Sequence, residues 1–200
     1  MARYGMVIDL KRCMGCNACT VACRAENATR PGILWSYVKD VESGTYPQTQ
    51  RAFLPVLCMQ CSNPPCVGVC PVSATYKRPD GIVSVDYGKC IGCRLCQGAC
   101  PYEARYYNGS DRTYFPAGPT PYERAGYAKH RLGTVEKCDF CMERVQRGQQ
   151  PACVETCITQ ARYFGHLDDP NSEVSKLIAR RKGYTLKPEL GTQPAVYYLP

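Results

Sequence analysis

The alternation of apolar and polar residues along this chain supports short elements only. Apolar and β-branched runs bounded by turn residues predict strands at Tyr4 to Asp9, Ala52 to Leu57, Thr75 to Lys77, Ile82 to Asp86, Arg105 to Tyr107 and Arg162 to Leu167. The segment "RPDGI" between the third and fourth of these reads as a hairpin turn, because Gly81 tolerates positive φ. One longer helix is predicted over Ser172 to Arg181, and the other helices are short and begin inside cysteine-rich stretches. No run of 18 apolar residues occurs, so no bilayer-spanning segment is expected. Residues 108–134 are rich in Gly, Pro and Tyr, lack cysteine and read as an insertion loop whose aromatics suit partner contact.

Cysteine changes this picture. The 200 residues include 16 Cys in four blocks of four. Block one is Cys13, Cys16, Cys19 and Cys23 in "CMGCNACTVAC"; block two is Cys58, Cys61, Cys66 and Cys70 in "CMQCSNPPCVGVCP". Block three is Cys90, Cys93, Cys96 and Cys100 in "CIGCRLCQGACP", and block four is Cys138, Cys141, Cys153 and Cys157 in "CDFCMERVQRGQQPACVETC". A disulfide scaffold scatters its cysteines across short secreted loops, whereas here Cys-x-x-Cys recurs in every block. Behind three blocks the chain repeats itself: "CPVSATY", "CPYEARY" and "CITQARY" share Cys-x-x-x-Ala-x-Tyr, which suggests a helical turn giving way to a strand. Block one departs from this with "CRAENAT".

Thiolate is a soft ligand suited to zinc, copper(I) or iron–sulfur clusters. Zinc ribbons take two well-separated Cys-x-x-Cys pairs. Blocks one and three instead carry three cysteines at successive two-residue gaps, which wraps a tight loop around three corners of a cubane. In the bacterial ferredoxin pattern the fourth cysteine ligates the neighbouring cluster, and Pro101 after Cys100 fits the first turn of a helix aimed away from the loop. Such centres also account for the formal charge of +8: four of them at about −2 each sum to about −8, so no polyanion is needed as partner.

Dinucleotide, phosphate-loop and zinc-peptidase signatures are lacking, and the two histidines, His130 and His166, read as loop or surface residues. The stretch "MARYGMVIDLKRC" shows no targeting signal. Tyr102, Tyr106 and Tyr163 could shield clusters or serve as ordinary packing. The fold expected is α+β, small repeats tied by metal.

With all four blocks in view, the chain resembles the four-cluster iron–sulfur subunit of the molybdopterin oxidoreductase family, which includes the dimethyl sulfoxide, polysulfide, thiosulfate, tetrathionate and respiratory arsenate reductases. The likeness includes "YGMVIDLKRCMGCNAC", "PPCVGVCP" and "PACVETC". "GHLDDPNSEVSKLI" and "LKPELGTQPAVYYL" look like the polysulfide and arsenate branches, and "GILWSYVKDVESGTYP" leans towards the arsenate branch.

The resemblance implies two ferredoxin-like modules, each holding two 4Fe-4S clusters. An outer one would span 1–50 and 135–170 and an inner one 51–107, with the loop 108–134 between them and a C-terminal helix and extended tail at 171–200. Carried over by position, the ligand sets are Cys13, Cys16, Cys19 and Cys157; Cys138, Cys141, Cys153 and Cys23; Cys58, Cys61, Cys66 and Cys100; and Cys90, Cys93, Cys96 and Cys70. Pro71 and Pro101 follow the exchanged ligands of the inner module, while Arg24 and Ile158 stand there in the outer one.

The implied role is an electron wire without a catalytic site of its own. It would connect a catalytic subunit carrying a molybdenum or tungsten bis-pterin guanine dinucleotide to a quinol-linked membrane anchor in anaerobic respiration. An arsenic, sulfur or selenium compound is the expected acceptor. The implied location is the periplasmic or extracytoplasmic face of the membrane, reached by co-export with a signal-bearing partner, or else the cytoplasm. Two other readings stay open: a ferredoxin-type subunit of a hydrogenase or formate-linked complex, and a zinc-structured nucleic-acid binder, which would be colourless and bind in a salt-sensitive way.

Overall fold

The computed structural model describes residues 3–200, so Met1 and Ala2, the first two residues of the 1–50 span and of the stretch read for a targeting signal, lie outside the described residues. The chain is a mixed assembly of short helices and strands. In order they are β1 (Tyr4–Asp9), α1 (Ala18–Asn27), β2 (Ser36–Thr45), β3 (Gln48–Leu57), α2 (Pro65–Gly68), β4 (Thr75–Lys77), β5 (Val83–Val85) and α3 (Leu95–Gly98). Then follow β6 (Tyr106–Asn108), α4 (Pro121–Tyr127), β7 (Thr134–Glu136), α5 (Met142–Gln146), α6 (Ala152–Glu155), β8 (Arg162–His166), α7 (Glu173–Arg180) and β9 (Val196–Leu199).

The largest sheet has the order β8-β1-β9, with β8 antiparallel and β9 parallel to the central strand. Gly5 to Asp9 are all buried, with no alternation, because both faces of β1 are covered. On one side Val7 and Leu199 meet Val174, Leu177 and Ile178 of α7, whose spacing places them on one helical face. On the other, Met6, Ile8, Val196 and Tyr198 join Trp35, Leu57, Phe140 and several cysteines in the main core. Ser172 caps α7, its hydroxyl accepting from the Ser175 amide at 3.3 Å.

The extended tail within 171–200 is drawn into the fold: β9 is an edge of the main sheet, and the Ala195 amide donates to the Met59 carbonyl at 2.8 Å. Two sequence expectations need correction. The hairpin β2–β3, whose turn holds a cis Tyr46–Pro47 bond, runs across the expected boundary at residues 50 and 51. Residues 108–134 are more ordered than a loop. Asn108 and Thr134 pair across β6 and β7, and α4 lies between them. A capping box starts that helix: the Thr120 amide donates to Glu123 Oε2 at 2.7 Å and the Glu123 amide to Thr120 Oγ1 at 3.2 Å. No helix among the described residues is long and apolar enough to cross a membrane.

Candidate metal centres

All four cysteine blocks use one bend. The second residue after the first cysteine has positive φ in each: Gly15 (72°), Gln60 (46°), Gly92 (70°) and Phe140 (60°). The bend turns the chain back so that the next cysteine faces the same space as the first. At Gly92 close approach adds to the need for glycine, since a Cβ there would lie 2.1 Å from the Gly133 carbonyl oxygen. Only two blocks announce the bend by glycine, so the other two were not legible as equivalent.

The repeat behind blocks two, three and four has an equally uniform cause. The third residue after the last cysteine, Ser73, Glu103 or Gln160, has φ of 50°, 54° or 51°. The next residue is a buried alanine, Ala74, Ala104 or Ala161. A strand then begins: β4, β6 or β8. Block one differs because α1 continues past Cys23 to Asn27, and the Asn27 side-chain amide donates to the Cys23 carbonyl at 2.9 Å and lies 3.6 Å and 3.8 Å from the sulfurs of Cys23 and Cys141.

The cysteines gather in fours, and each group takes its fourth member from another block. One recess is lined by Cys13, Cys16, Cys19 and Cys157, a second by Cys58, Cys61, Cys66 and Cys100, and a third by Cys70, Cys90, Cys93 and Cys96. Their atom-free spaces are alike, about 340, 320 and 310 Å³. Cys23, Cys138, Cys141 and Cys153 form the fourth group, mutually close enough to raise one another's thiol pKa, and all four are buried. All sixteen are free thiols. Among the described residues no three side chains of His, Cys, Asp or Glu converge closely enough to share a single ion.

The electrostatics separate the groups. Burial pushes the thiols of Cys23 and Cys138 well above the ordinary range, and those of Cys61 and Cys141 to about 12. At Cys70 and Cys157 burial acts the same way but is outweighed by donors. The Thr75 amide lies 3.5 Å from Cys70 Sγ and the Ala161 amide 3.2 Å from Cys157 Sγ, and both thiols end lowered. Binding of a metal centre would require these thiols as thiolates and would release their protons.

Other predicted residues are placed as follows. Tyr102 lines the recess of Cys58, Cys61, Cys66 and Cys100 and shares a 2.6 Å hydrogen bond with Thr192. Tyr106 packs on the main core, while the Tyr163 hydroxyl accepts from Arg12 at 2.8 Å. His130 lies in the loop after α4, but its side chain is only 5% exposed and its Nδ1 lies 2.9 Å from Glu136 Oε1. Sequence reasoning missed Arg105, Arg162, Gln60 and Lys137, four buried polar residues beside the cysteines. The signal available for the arginines was their shared place, five residues after Cys100 and Cys157.

The 4Fe-4S dicluster domain model matches residues 49–115 and 117–167. A subunit of the selenate reductase of Mesobacillus selenatarsenatis is 47% identical over 206 residues, 97% of this chain and 70% of that protein. The iron–sulfur subunit of the Shewanella arsenate respiratory reductase is 38% identical over 224 residues, 98% of this chain and 96% of that protein. The iron–sulfur cluster-binding subunit of the Nitratidesulfovibrio vulgaris menaquinone reductase is 39% identical over 226 residues, covering 98% and 88%.

Proposed function

We propose an electron-relay function from the premise that this chain belongs to the 4Fe-4S dicluster domain family, among the iron–sulfur subunits of multi-subunit respiratory reductases. It is an electron-transfer subunit, and each cysteine group described above holds one 4Fe-4S cluster, four in all, in two ferredoxin-like modules that exchange their fourth ligands. The observation that carries this reading is the gathering of four sulfurs around each of three recesses of similar size, every time with a cysteine borrowed from another block. The donor set fits: sulfur alone, backbone amides directed at it, and a spacing that suits a body larger than one ion.

A 4Fe-4S cluster supplies one-electron chemistry at a potential set by charge, hydrogen bonding and solvent. The chain spaces and insulates the centres, and its buried cations support a linear order. Arg162 faces Cys19 and Cys153, joining the first two groups. Lys137 donates to the Cys138 carbonyl at 2.7 Å and acts on Cys66, joining the second to the third. Arg105 faces Cys66 and Cys96, joining the third to the fourth. Cys16 and Cys93, in the terminal groups, are exposed, and Met14, Ile158, Ile91 and Leu95 are exposed apolar residues at these ends. Electrons enter at one end and leave at the other.

The chain carries no catalytic site of its own. Its partners are a molybdenum or tungsten bis-pterin catalytic subunit at one end and a quinol-linked membrane anchor at the other, on the extracytoplasmic face. Names of relatives support an oxyanion of arsenic or selenium as acceptor and a quinone link. Elemental analysis of the complex that co-purifies with this chain without oxygen tests the reading. About sixteen irons per chain with molybdenum or tungsten supports it. Nickel beside the iron redirects it to a hydrogenase, and zinc without iron ends it.

A further inference from the structure

The fifth residue after the last cysteine of each block is Ala28, Thr75, Arg105 or Arg162. Each half of the molecule thus has one arginine and one small residue at this place. Arg105 and Arg162 are 2% and 4% exposed. Arg105 Nη2 lies 3.0 Å from Cys66 Sγ, and Arg162 Nη2 lies 3.3 Å from Cys19 Sγ. Each guanidinium also faces the sulfur of the third cysteine of its own block, Cys96 or Cys153. Each therefore stands between the third cysteines of two different groups. The small residue at this offset brings no second cation to the pair. In one half it also orients the first, as Arg105 Nη1 donates to Thr75 Oγ1 at 3.0 Å.

We infer that Arg105 and Arg162 are potential-setting residues, each a permanent buried cation shared by two clusters and holding both at a higher reduction potential than sulfur ligation and burial alone would give. This rests on the 4Fe-4S reading above. Reduction adds negative charge to a centre that is already anionic, and burial removes the water that would stabilise it. A guanidinium stays charged under all conditions the protein meets, and its rigid fork can address two sulfurs at once. The middle gap is different, because Lys137 has the half-buried carboxyl group of Asp139 beside it.

The test is potentiometric titration of the anaerobic complex followed by electron paramagnetic resonance, with iron content measured in every variant. Arg105→Gln is expected to keep its iron and shift the one-electron equilibria of its two neighbouring centres at least tenfold towards the oxidised form, a fall of 59 mV. The two centres beside Arg162 should move less than a third as far. Arg105→Lys should restore more than half of the shift, and Arg162→Gln should give the mirror pattern. Equilibria within twofold of wild type in iron-replete Gln variants would overturn the inference, as would a Lys variant no closer to wild type than Gln. If Arg105→Gln loses iron, Arg105→Met is read in the same way, and iron loss in both neutral variants overturns tuning in favour of assembly. Failure of the underlying reading shows separately, as iron far below about sixteen per chain in the wild-type complex.

Discussion

The half built on blocks two and three and the half built on blocks one and four share the same bends but differ in what surrounds them. In the first, both exchanged cysteines precede proline, the helices α2 and α3 are four residues long, and Cys70, Cys90, Cys93 and Cys100 are partly or fully exposed. In the second, Cys23 lies within the ten-residue α1, and one whole group, Cys23, Cys138, Cys141 and Cys153, is buried, while Cys13, Cys16 and Cys157 of the other group are partly or fully exposed. The three-stranded sheet and most of the apolar core belong to this second half. One half is stabilised mainly by what its cysteines hold, and the other also has a conventional core to enclose a centre.

The comparison can be broken at the cysteines first. Cys153→Ser, in the sealed group, is expected to lose the iron of that group and of its Arg162-linked neighbour, about eight atoms, whereas Cys93→Ser, in the exposed terminal group, loses about four. Iron content of the anaerobically purified complexes measures both. Equal losses would remove the distinction between the halves.

The next effect is on potential. The groups of Cys13 and of Cys138 share Arg162 but differ in burial, so the sealed centre should be the harder to reduce, by at least tenfold or 59 mV. Redox titration of the intact complex decides the order.

Gln60 ties the halves together. Its Nε2 donates to the Cys138 carbonyl at 2.7 Å and its Oε1 accepts from the Val83 amide at 2.8 Å, all within the buried interior. Gln60→Leu leaves the Val83 amide unpaired, while the Cys138 carbonyl keeps the Lys137 ammonium as donor, and should cost about 1–3 kcal/mol. A lowered temperature of cluster bleaching would register it. Thr120→Ala removes the cap of α4, at about 1 kcal/mol, and faster amide exchange should stay confined to residues 121–127.

The smallest effect is that of pH on the His130–Glu136 pair. Burial lowers the His130 pKa, but the Glu136 hydrogen bond and charge outweigh it and leave it raised. The stabilisation is therefore complete below the unfolded value of about 6.5 and is lost as pH rises through the raised folded value. Glu136→Gln should flatten that dependence in melts run between pH 6 and 8, a window of about two units.

Much of the fold was legible. β1 and β4 fall where the apolar runs put them, and α7 begins after its serine cap. β2 was not, because a ribbon exposed over most of its length shows no buried alternation. α4 was legible in "TPYE", a capping signature overlooked within a Gly- and Pro-rich stretch. β9 was missed because its place is set by pairing to a strand far away in sequence. The cysteine pattern pointed to the site, but the bends at Gln60 and Phe140, and the role of the arginines, depend on contacts that spacing does not reveal.

The central claim is that ligands cross between blocks, and Cys100→Ser tests it most directly. Its resonance spectrum should be compared with those of Cys61→Ser and Cys93→Ser. The account expects Cys100→Ser to perturb the same centre as Cys61→Ser and to leave the centre of Cys93 intact. Loss of the Cys93 centre alone would contradict it.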